Sequence, residues 1–146
     1  GSALDGLVPA RVPGRAVGVD AVPVQRHGVL HPLADLRDQV ARVYETSPEF
    51  ADGQDAVEKL DVALADGDVL YTAEFNDKVI AAIWSRGQDQ TRLLQFIVVH
   101  PANRGRGVAE QLVEHVCNAE SAKGAQHFKP GCGAIHRMLA HLERLA

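Results

Sequence analysis

Apolar residues recur along this chain at two spacings, and the alternation between them divides it into elements. From Asp35 to Thr46 the apolar positions are Leu36, Val40 and Val43 or Tyr44, a helical spacing that Ser47-Pro48 ends. Asp52 is placed to cap a second helix running to about Ala65, with Val57, Leu60 and Leu64 on one face. Asp66-Gly67-Asp68 stops it. Three strands follow: Val69 to Phe75, Lys78 to Ser85 and Arg92 to Val99. Asn76-Asp77 makes the first turn between them, and Gly87 to Gln90 the second. The middle strand is rich in Val, Ile and Ala and reads as central. Val108, Leu112, Val113 and Val116 give the next helix a single apolar stripe, which Lys123-Gly124 ends. Gln126 to Lys129 reads as a short strand and Pro130 to Gly133 as a loop. Ala134 to Leu145 reads as a last helix with Ile135, Met138, Leu139 and Leu142 inward.

Ahead of these lies a short strand, roughly Val22 to Val29. Residues 1–21 show no period and read as a linker or tag-like segment, which leaves 22–146 as one domain. The resulting order is β-α-α-β-β-β-α-β-α. It predicts an α/β (α+β) fold, a mixed central sheet flanked by helices on both faces.

Composition narrows the possible roles. The chain has 146 residues, 46% of them hydrophobic, enough for one domain with a core of its own. The net charge of −4 gives no global support to nucleic-acid binding. The longest apolar run, Val79 to Trp84, is far shorter than the roughly 20 residues of a membrane span. No basic start followed by an apolar centre marks a signal peptide, and the two cysteines, Cys117 and Cys132, form no disulfide framework. A cytoplasmic location is the expectation. Cys117 falls on the apolar face of its helix and reads as packing. The seven histidines show no spacing typical of a metal site.

The most informative stretch is Phe96 to Ala109, FIVVHPANRGRGVA. An apolar strand meets a proline break, and the turn Arg104-Gly105-Arg106-Gly107-Val108-Ala109 opens a helix. Glycine at 105 and 107 lets a ligand approach the backbone, and the helix start offers unpaired N–H groups and a positive dipole end. Arg104 and Arg106 add charge, so the pattern suits a pyrophosphate. No Lys-Ser/Thr follows, as a P-loop requires. The turn also lies two-thirds along the chain and ends in Ala, unlike a dinucleotide fingerprint.

This R-x-x-G-x-A pattern resembles the acetyl-CoA-binding motif of the GNAT N-acetyltransferase superfamily, [Q/R]-x-x-G-x-[G/A], over roughly Val22 to the end. The resemblance implies acetyl-CoA or CoA as cofactor. It also implies that Ile97, Val98 and Val99 belong to a strand that splays from its neighbour and pairs with pantetheine. The turn from Arg104 through Gly105, Arg106, Gly107 and Val108 to Ala109 would then hold the pyrophosphate. Cys132 and Gly133 would lie in the loop lining the pantetheine arm. The hairpin Phe75-Asn76-Asp77-Lys78-Val79-Ile80-Ala81-Ala82, with Val43-Tyr44-Glu45, Ser47-Pro48 and Gly107-Val108, is similar to the PanZ (PanM) type of acetyl-CoA sensor. That group acts with aspartate 1-decarboxylase, so a protein partner is implied. Gly105 stands where that group has an unbroken run of arginines.

Acetyl transfer requires a base, an oxyanion donor and an acid for the leaving thiolate. Active members of the superfamily commonly carry a tyrosine on the last helix, and this helix has none. Met138 or Leu142 takes its place, and neither carries a proton. His136 and His141 are candidate substitutes. Five residues apart, they do not stack on one helix face, and the alternative is two solvated surface histidines. Gln95 lies where active relatives often hold Glu or a water-positioning residue, but an amide takes no proton. His100 precedes Pro101 and can simply end its strand, while Glu74 and Tyr71 lie on another strand. Two readings follow: an acetyl-CoA sensor with weak or no transfer, or an active N-acetyltransferase for a primary amine. The chain stops where the superfamily continues into further strands, so the expectation is a bare edge at Gln126 to Lys129. A homodimer, a partner protein or the N-terminal segment would cover it.

Overall fold

The computed structural model describes residues 10–11, 20–24, 33–76, 78–87 and 90–145. Its elements are β1 (Ala10–Arg11), β2 (Asp20–Val24), α1 (Leu33–Tyr44), α2 (Gly53–Ala65), β3 (Val69–Phe75), β4 (Lys78–Arg86), β5 (Thr91–Val99), a 3₁₀ turn (Pro101–Asn103), α3 (Val108–Ala122), β6 (His127–Pro130) and α4 (Gly133–His141). The strands form one sheet in chain order from β1 to β6. Every neighbouring pair is antiparallel except β5 and β6, which run parallel because α3 carries the chain back between them.

Side chains alternate across the sheet and fill two cores. Tyr71, Ala81, Ile83 and Leu94 face α3 and α4, meeting Leu112, Val113, Val116, Ile135 and Leu139. Leu70, Ala82, Trp84 and Val98 face α1 and α2, meeting Val40, Val43, Tyr44, Val57, Leu60 and Leu64. The mixed sheet with helices on both faces is as the periodicity predicts. Asp52 caps α2 by accepting from the Asp55 N–H. Cys117 is fully buried, and burial pushes its thiol up to about 12, so it packs and does not react.

Several boundaries differ from expectation by a residue or more, and those at the two ends of the chain bear on the sheet edges. Ala10–Arg11 pairs with β2, which itself begins at Asp20, so part of the expected linker lies in the sheet. It sits at the edge opposite β6 and covers nothing there. The expected strand residues 25–29 and the turn residue Asp77 lie outside the described residues. The last helix starts one residue early, at Gly133, and ends at His141, not Leu145. Glu143 adopts a left-handed backbone with φ 58°, which turns the chain so that Leu145 bridges Phe128 in parallel. The edge of β6 is therefore not bare along its whole length.

The far end of α3 is fixed by a buried carboxylate. Glu120 accepts from the Tyr71 hydroxyl at 2.9 Å and the Ser85 hydroxyl at 2.7 Å, and it pairs with Arg92 and Lys123, each at 2.8 Å. Burial pushes this carboxyl up, but hydrogen bonds from Lys123, Ser85 and Tyr71 outweigh it and hold the group below its ordinary value. The near end of α3, at Gly107, is thereby set against the end of β5.

Candidate functional site: a cleft between β5 and α4

Strands β5 and β6 pair only from Thr91–His127 to Leu94–Pro130. One further bond, from the Gly131 N–H to the Leu94 carbonyl at 2.7 Å, closes the pairing. Beyond it β6 turns into α4, while β5 continues to Val99 with no strand partner on that side among the described residues. The gap becomes a cleft of about 350 Å³. Its walls are Ile97, Val98 and Val99 of β5, the turn from Asn103 to Gly105, Gly107, Val108 and Ala109 at the start of α3, Ala134 and Met138 of α4, and Thr46 to Pro48 after α1.

A bulge shapes the β5 wall. Ala82 lies opposite Val98 but Trp84 lies opposite Gln95, so β5 carries one extra residue at this point. Phe96 there has φ 57°, a left-handed backbone on a bulky residue. Past the bulge, the His100 N–H bonds to the Ile80 carbonyl at 2.7 Å. Alternation then turns the backbone groups of Val98 toward β4 and those of Ile97 and Val99 into the cleft. The Val99 carbonyl is met there by the Arg104 Nε at 3.0 Å. The same guanidinium reaches Thr46 Oγ1 at 3.4 Å, across the cleft mouth.

The glycine turn has the conformation its sequence suggests. Gly105 has φ 80° and Gly107 φ 75°, both left-handed, and a Cβ on either would meet open space or only the tip of Gln111. Gly107 is the N-cap of α3 and no side chain caps the helix. The first helical bond is from the Gln111 N–H to the Gly107 carbonyl, so the amides before it remain open. The Arg104 N–H is an exception, bonded to the Pro101 carbonyl at 3.4 Å. Arg106 is exposed and does not line the cleft.

The candidate acid–base residues are placed apart from this cleft. His136 is exposed on α4. His141 is exposed too and pairs with Glu110 of α3, which raises its pKa through the hydrogen bond and the charge. His100 caps the 3₁₀ turn, its Nδ1 accepting from the Ala102 N–H at 3.2 Å. Gln95 does not line the cleft, and its Oε1 accepts from Arg86 Nη1 at 3.1 Å. Of the two positions that stand in for the tyrosine, Met138 lines the cleft and Leu142 packs against the core. Among the described residues, none that lines this cleft is a histidine, carboxylate, tyrosine, cysteine or lysine. The bulge, the Tyr44 hydroxyl that holds it and the Arg86–Gln95 contact were not foreseen from sequence. Among the described residues no His, Cys, Asp or Glu cluster could hold a metal, and no helix is long and apolar enough to cross a membrane.

Solved structures share the fold at low identity. A ribosomal-protein-alanine N-acetyltransferase from Brucella melitensis biovar Abortus matches with TM-score 0.63 and 13% identity, over 88% of this chain and 91% of that one. A GNAT family acetyltransferase from Brucella melitensis, in complex with acetyl-CoA, matches with TM-score 0.59 and 16% identity, over 80% of each chain. The aminoglycoside 6'-N-acetyltransferase of Enterococcus faecium matches with TM-score 0.60 and 16% identity over 74% of this chain. The match spans only 58% of the length of that enzyme. No curated protein sequence matches the chain. Residues 66–143, more than half of the chain, match the family model of the acetyltransferase (GNAT) domain, and the chain belongs to that family.

Proposed function

We propose that this protein binds acetyl-CoA in the cleft between β5 and α4 and acts as a sensor of it, in the manner of PanZ-type proteins, with weak or no acetyl transfer. The observation that carries the binding is the left-handed turn at Gly105 and Gly107, which presents uncapped helix amides at the cleft mouth. Pyrophosphate would take those amides, and the pantetheine amides would take the inward backbone groups of Ile97 and Val99. Arg104 would have to share the Val99 carbonyl or release it. A GNAT family relative of the same fold is solved with acetyl-CoA, which supports this choice of ligand.

The sensor half of the proposal rests on Met138. It stands at the cleft wall where an acid for the thiolate would be needed, and a thioether carries no proton. The competing reading, transfer of acetyl to a primary amine of a small molecule or protein, is favoured by the structural relatives whose names are N-acetyltransferases. Mass spectrometry of the purified protein for co-bound acetyl-CoA, followed by incubation with a panel of amines, separates them. Retained acetyl-CoA supports the sensor. Conversion to CoA at about 1 s⁻¹ or faster, an ordinary enzymatic rate, supports the enzyme. A protein partner such as aspartate 1-decarboxylase, or a second copy of this chain, belongs to the sensor reading. Light scattering with and without acetyl-CoA tests for both.

A further inference from the structure

A single charged side chain spans the cleft mouth. Among the described residues, Arg104 is the one charged group in the lining. The backbone sets where it goes. The 3₁₀ turn Pro101–Asn103 is closed by bonds from the Asn103 N–H to the His100 carbonyl at 2.8 Å and from the Arg104 N–H to the Pro101 carbonyl at 3.4 Å. Arg104 then takes an extended backbone, φ −72° and ψ 155°, before Gly105 turns the chain at φ 80°. Its side chain folds back over β5, where Nε donates to the Val99 carbonyl at 3.0 Å and Nη2 to Thr46 Oγ1 at 3.4 Å. Thr46 belongs to a loop with bonds of its own. The Ser47 N–H meets the Tyr44 carbonyl at 3.0 Å, and the Glu49 N–H meets Ser47 Oγ at 3.3 Å. The guanidinium therefore joins the end of β5 to the loop after α1.

The Val99 carbonyl faces the cleft and is an acceptor that a pantetheine amide would take, so guanidinium and ligand compete for it. What the ligand brings with it decides that competition. A pyrophosphate at the glycine turn brings anionic oxygens, and a guanidinium binds phosphate more strongly than it binds a neutral carbonyl, often through two parallel bonds. An uncharged pantetheine arm brings no such partner and has to displace the guanidinium unaided. The same contact is a small obstacle to a phosphorylated ligand and a larger one to a neutral ligand.

We propose that Arg104 is a specificity gate. Its hold on Val99 and Thr46 bars neutral pantetheine thioesters, and the phosphates of acetyl-CoA draw the guanidinium away and open the Val99 carbonyl. The proposal rests on the acetyl-CoA reading above and deepens it by naming the residue that excludes carriers without phosphate. Arg106 does not serve in its place, being exposed and outside the lining. One hydrogen bond of ordinary net strength, given back to the carbonyl, corresponds to about three- to tenfold in affinity.

Calorimetry with two ligands tests this without requiring turnover. Acetyl-CoA and S-acetylpantetheine share the thioester and the pantetheine arm and differ in the phosphates. In Arg104→Ala the affinity for acetyl-CoA should fall, because a phosphate partner is lost. The affinity for S-acetylpantetheine should rise about three- to tenfold over the native protein. Opposite signs for the two ligands on one substitution are the signature of a gate. An arginine that served phosphate alone would leave S-acetylpantetheine unmoved, and one that merely braced the cleft would weaken both ligands. Either result overturns the proposal, as does a lack of measurable S-acetylpantetheine binding to Arg104→Ala. Arg104→Met keeps much of the stem, removes every donor and serves if the alanine variant fails to fold. Native protein that binds acetyl-CoA, with no gain for S-acetylpantetheine in either variant, loses the gate and keeps the cofactor site. Native protein that does not bind acetyl-CoA removes the acetyl-CoA reading itself.

Discussion

The Tyr44 hydroxyl donates to the Phe96 carbonyl at 2.5 Å, tying the end of α1 to the bulge that opens the cleft. The bulge needs such a tie. A left-handed backbone on a bulky residue costs about 1–3 kcal/mol and persists only where surroundings over-determine it. Here Phe96 is also held by aromatic contacts, 4.5 Å to the Trp84 ring centre and 4.9 Å to that of Phe50. Tyr44 is fully buried and its hydroxyl pKa is pushed up by burial, so it acts as a neutral donor across the whole physiological range.

Tyr44→Phe keeps the ring and removes the donor. It should lower stability by about 1–2 kcal/mol, the cost of leaving a buried carbonyl unpaired. It should also weaken acetyl-CoA binding, because the bulge sets the direction of the Ile97 and Val99 backbone groups. Chemical denaturation and calorimetry measure the two effects. A loss of stability with native affinity would show that the bulge holds its shape without the tie.

Much of this architecture can be read along the chain, and the part that cannot is the part that shapes the cleft. Helices α2 and α3 follow their apolar stripes because burial on one face enforces the period. Val57, Leu60 and Leu64 are buried as expected, as are Val108, Leu112, Val113 and Val116. The glycine turn is legible because positive φ selects glycine. The bulge is not, because Phe96-Ile97-Val98-Val99 reads as an unbroken apolar strand and tertiary contacts force Phe96 into a conformation its side chain disfavours. Glu120 looks like a solvated residue late in an amphipathic helix. Only the fold brings Arg92, Ser85 and Tyr71 around it. Ala10–Arg11 carries no strand signal, being two residues that gain their pairing from β2.

Gly107→Val should reduce acetyl-CoA affinity more than tenfold, or roughly 1.4 kcal/mol. The added side chain enters space the protein leaves open, where a pyrophosphate would lie against the backbone. It is also strained at φ 75°, so stability must be measured alongside. Gly124→Ala at φ 108°, at the other end of α3 and outside the cleft lining, carries a backbone cost of the same kind and controls for it. Affinity unchanged by Gly107→Val in folded protein would place the ligand elsewhere.

The two arginines of the turn should behave differently. Both are exposed, but Arg104 lines the cleft and is engaged with Val99 and Thr46, whereas Arg106 lies outside the lining. Arg106→Ala should cause a modest loss of affinity that fades as salt rises, since exposed charges are screened beyond about 8 Å at physiological ionic strength. Arg104→Ala should cause a larger loss, because this side chain lines the cleft, and that loss too should shrink as salt rises because the guanidinium is exposed. Titrations at low and high salt compare them. A loss for Arg106→Ala as large as that for Arg104→Ala would contradict the distinction.

Glu120→Gln should destabilise the protein by about 3–5 kcal/mol, the range for breaking a buried charge pair and leaving the partner uncompensated. The folded pKa of Glu120 is depressed, so its contribution is present above the ordinary carboxyl value of 4.5 and is lost as pH falls through the folded value. Native protein should therefore lose stability below about pH 4.5 more steeply than Glu120→Gln does. Denaturation curves between pH 3 and 7 follow this, and parallel acid losses in both proteins would mean that other carboxylates dominate.

The pair between His141 and Glu110 should give the opposite pH dependence. It joins the last turn of α4 to the first turn of α3, just behind Met138 and Ala109 of the cleft wall. The folded pKa of His141 is raised, chiefly by the hydrogen bond its Nδ1 donates to the Glu110 carboxylate and then by that carboxylate's charge. A histidine with a raised folded pKa contributes stability that is fully present below its unfolded value, about 6.5, and is lost as pH rises through the folded value. His141→Ala should therefore lower the melting temperature more at pH 5.5 than at pH 8.5, with the difference shrinking in high salt because the imidazole is exposed. The cleft should respond in step, since loosening this clasp frees one wall, so native acetyl-CoA affinity should fall between pH 6 and 8.5 while that of His141→Ala stays flat. A melting difference equal at the two pH values would mean that the two side chains lie together in the fold without an ionic contribution.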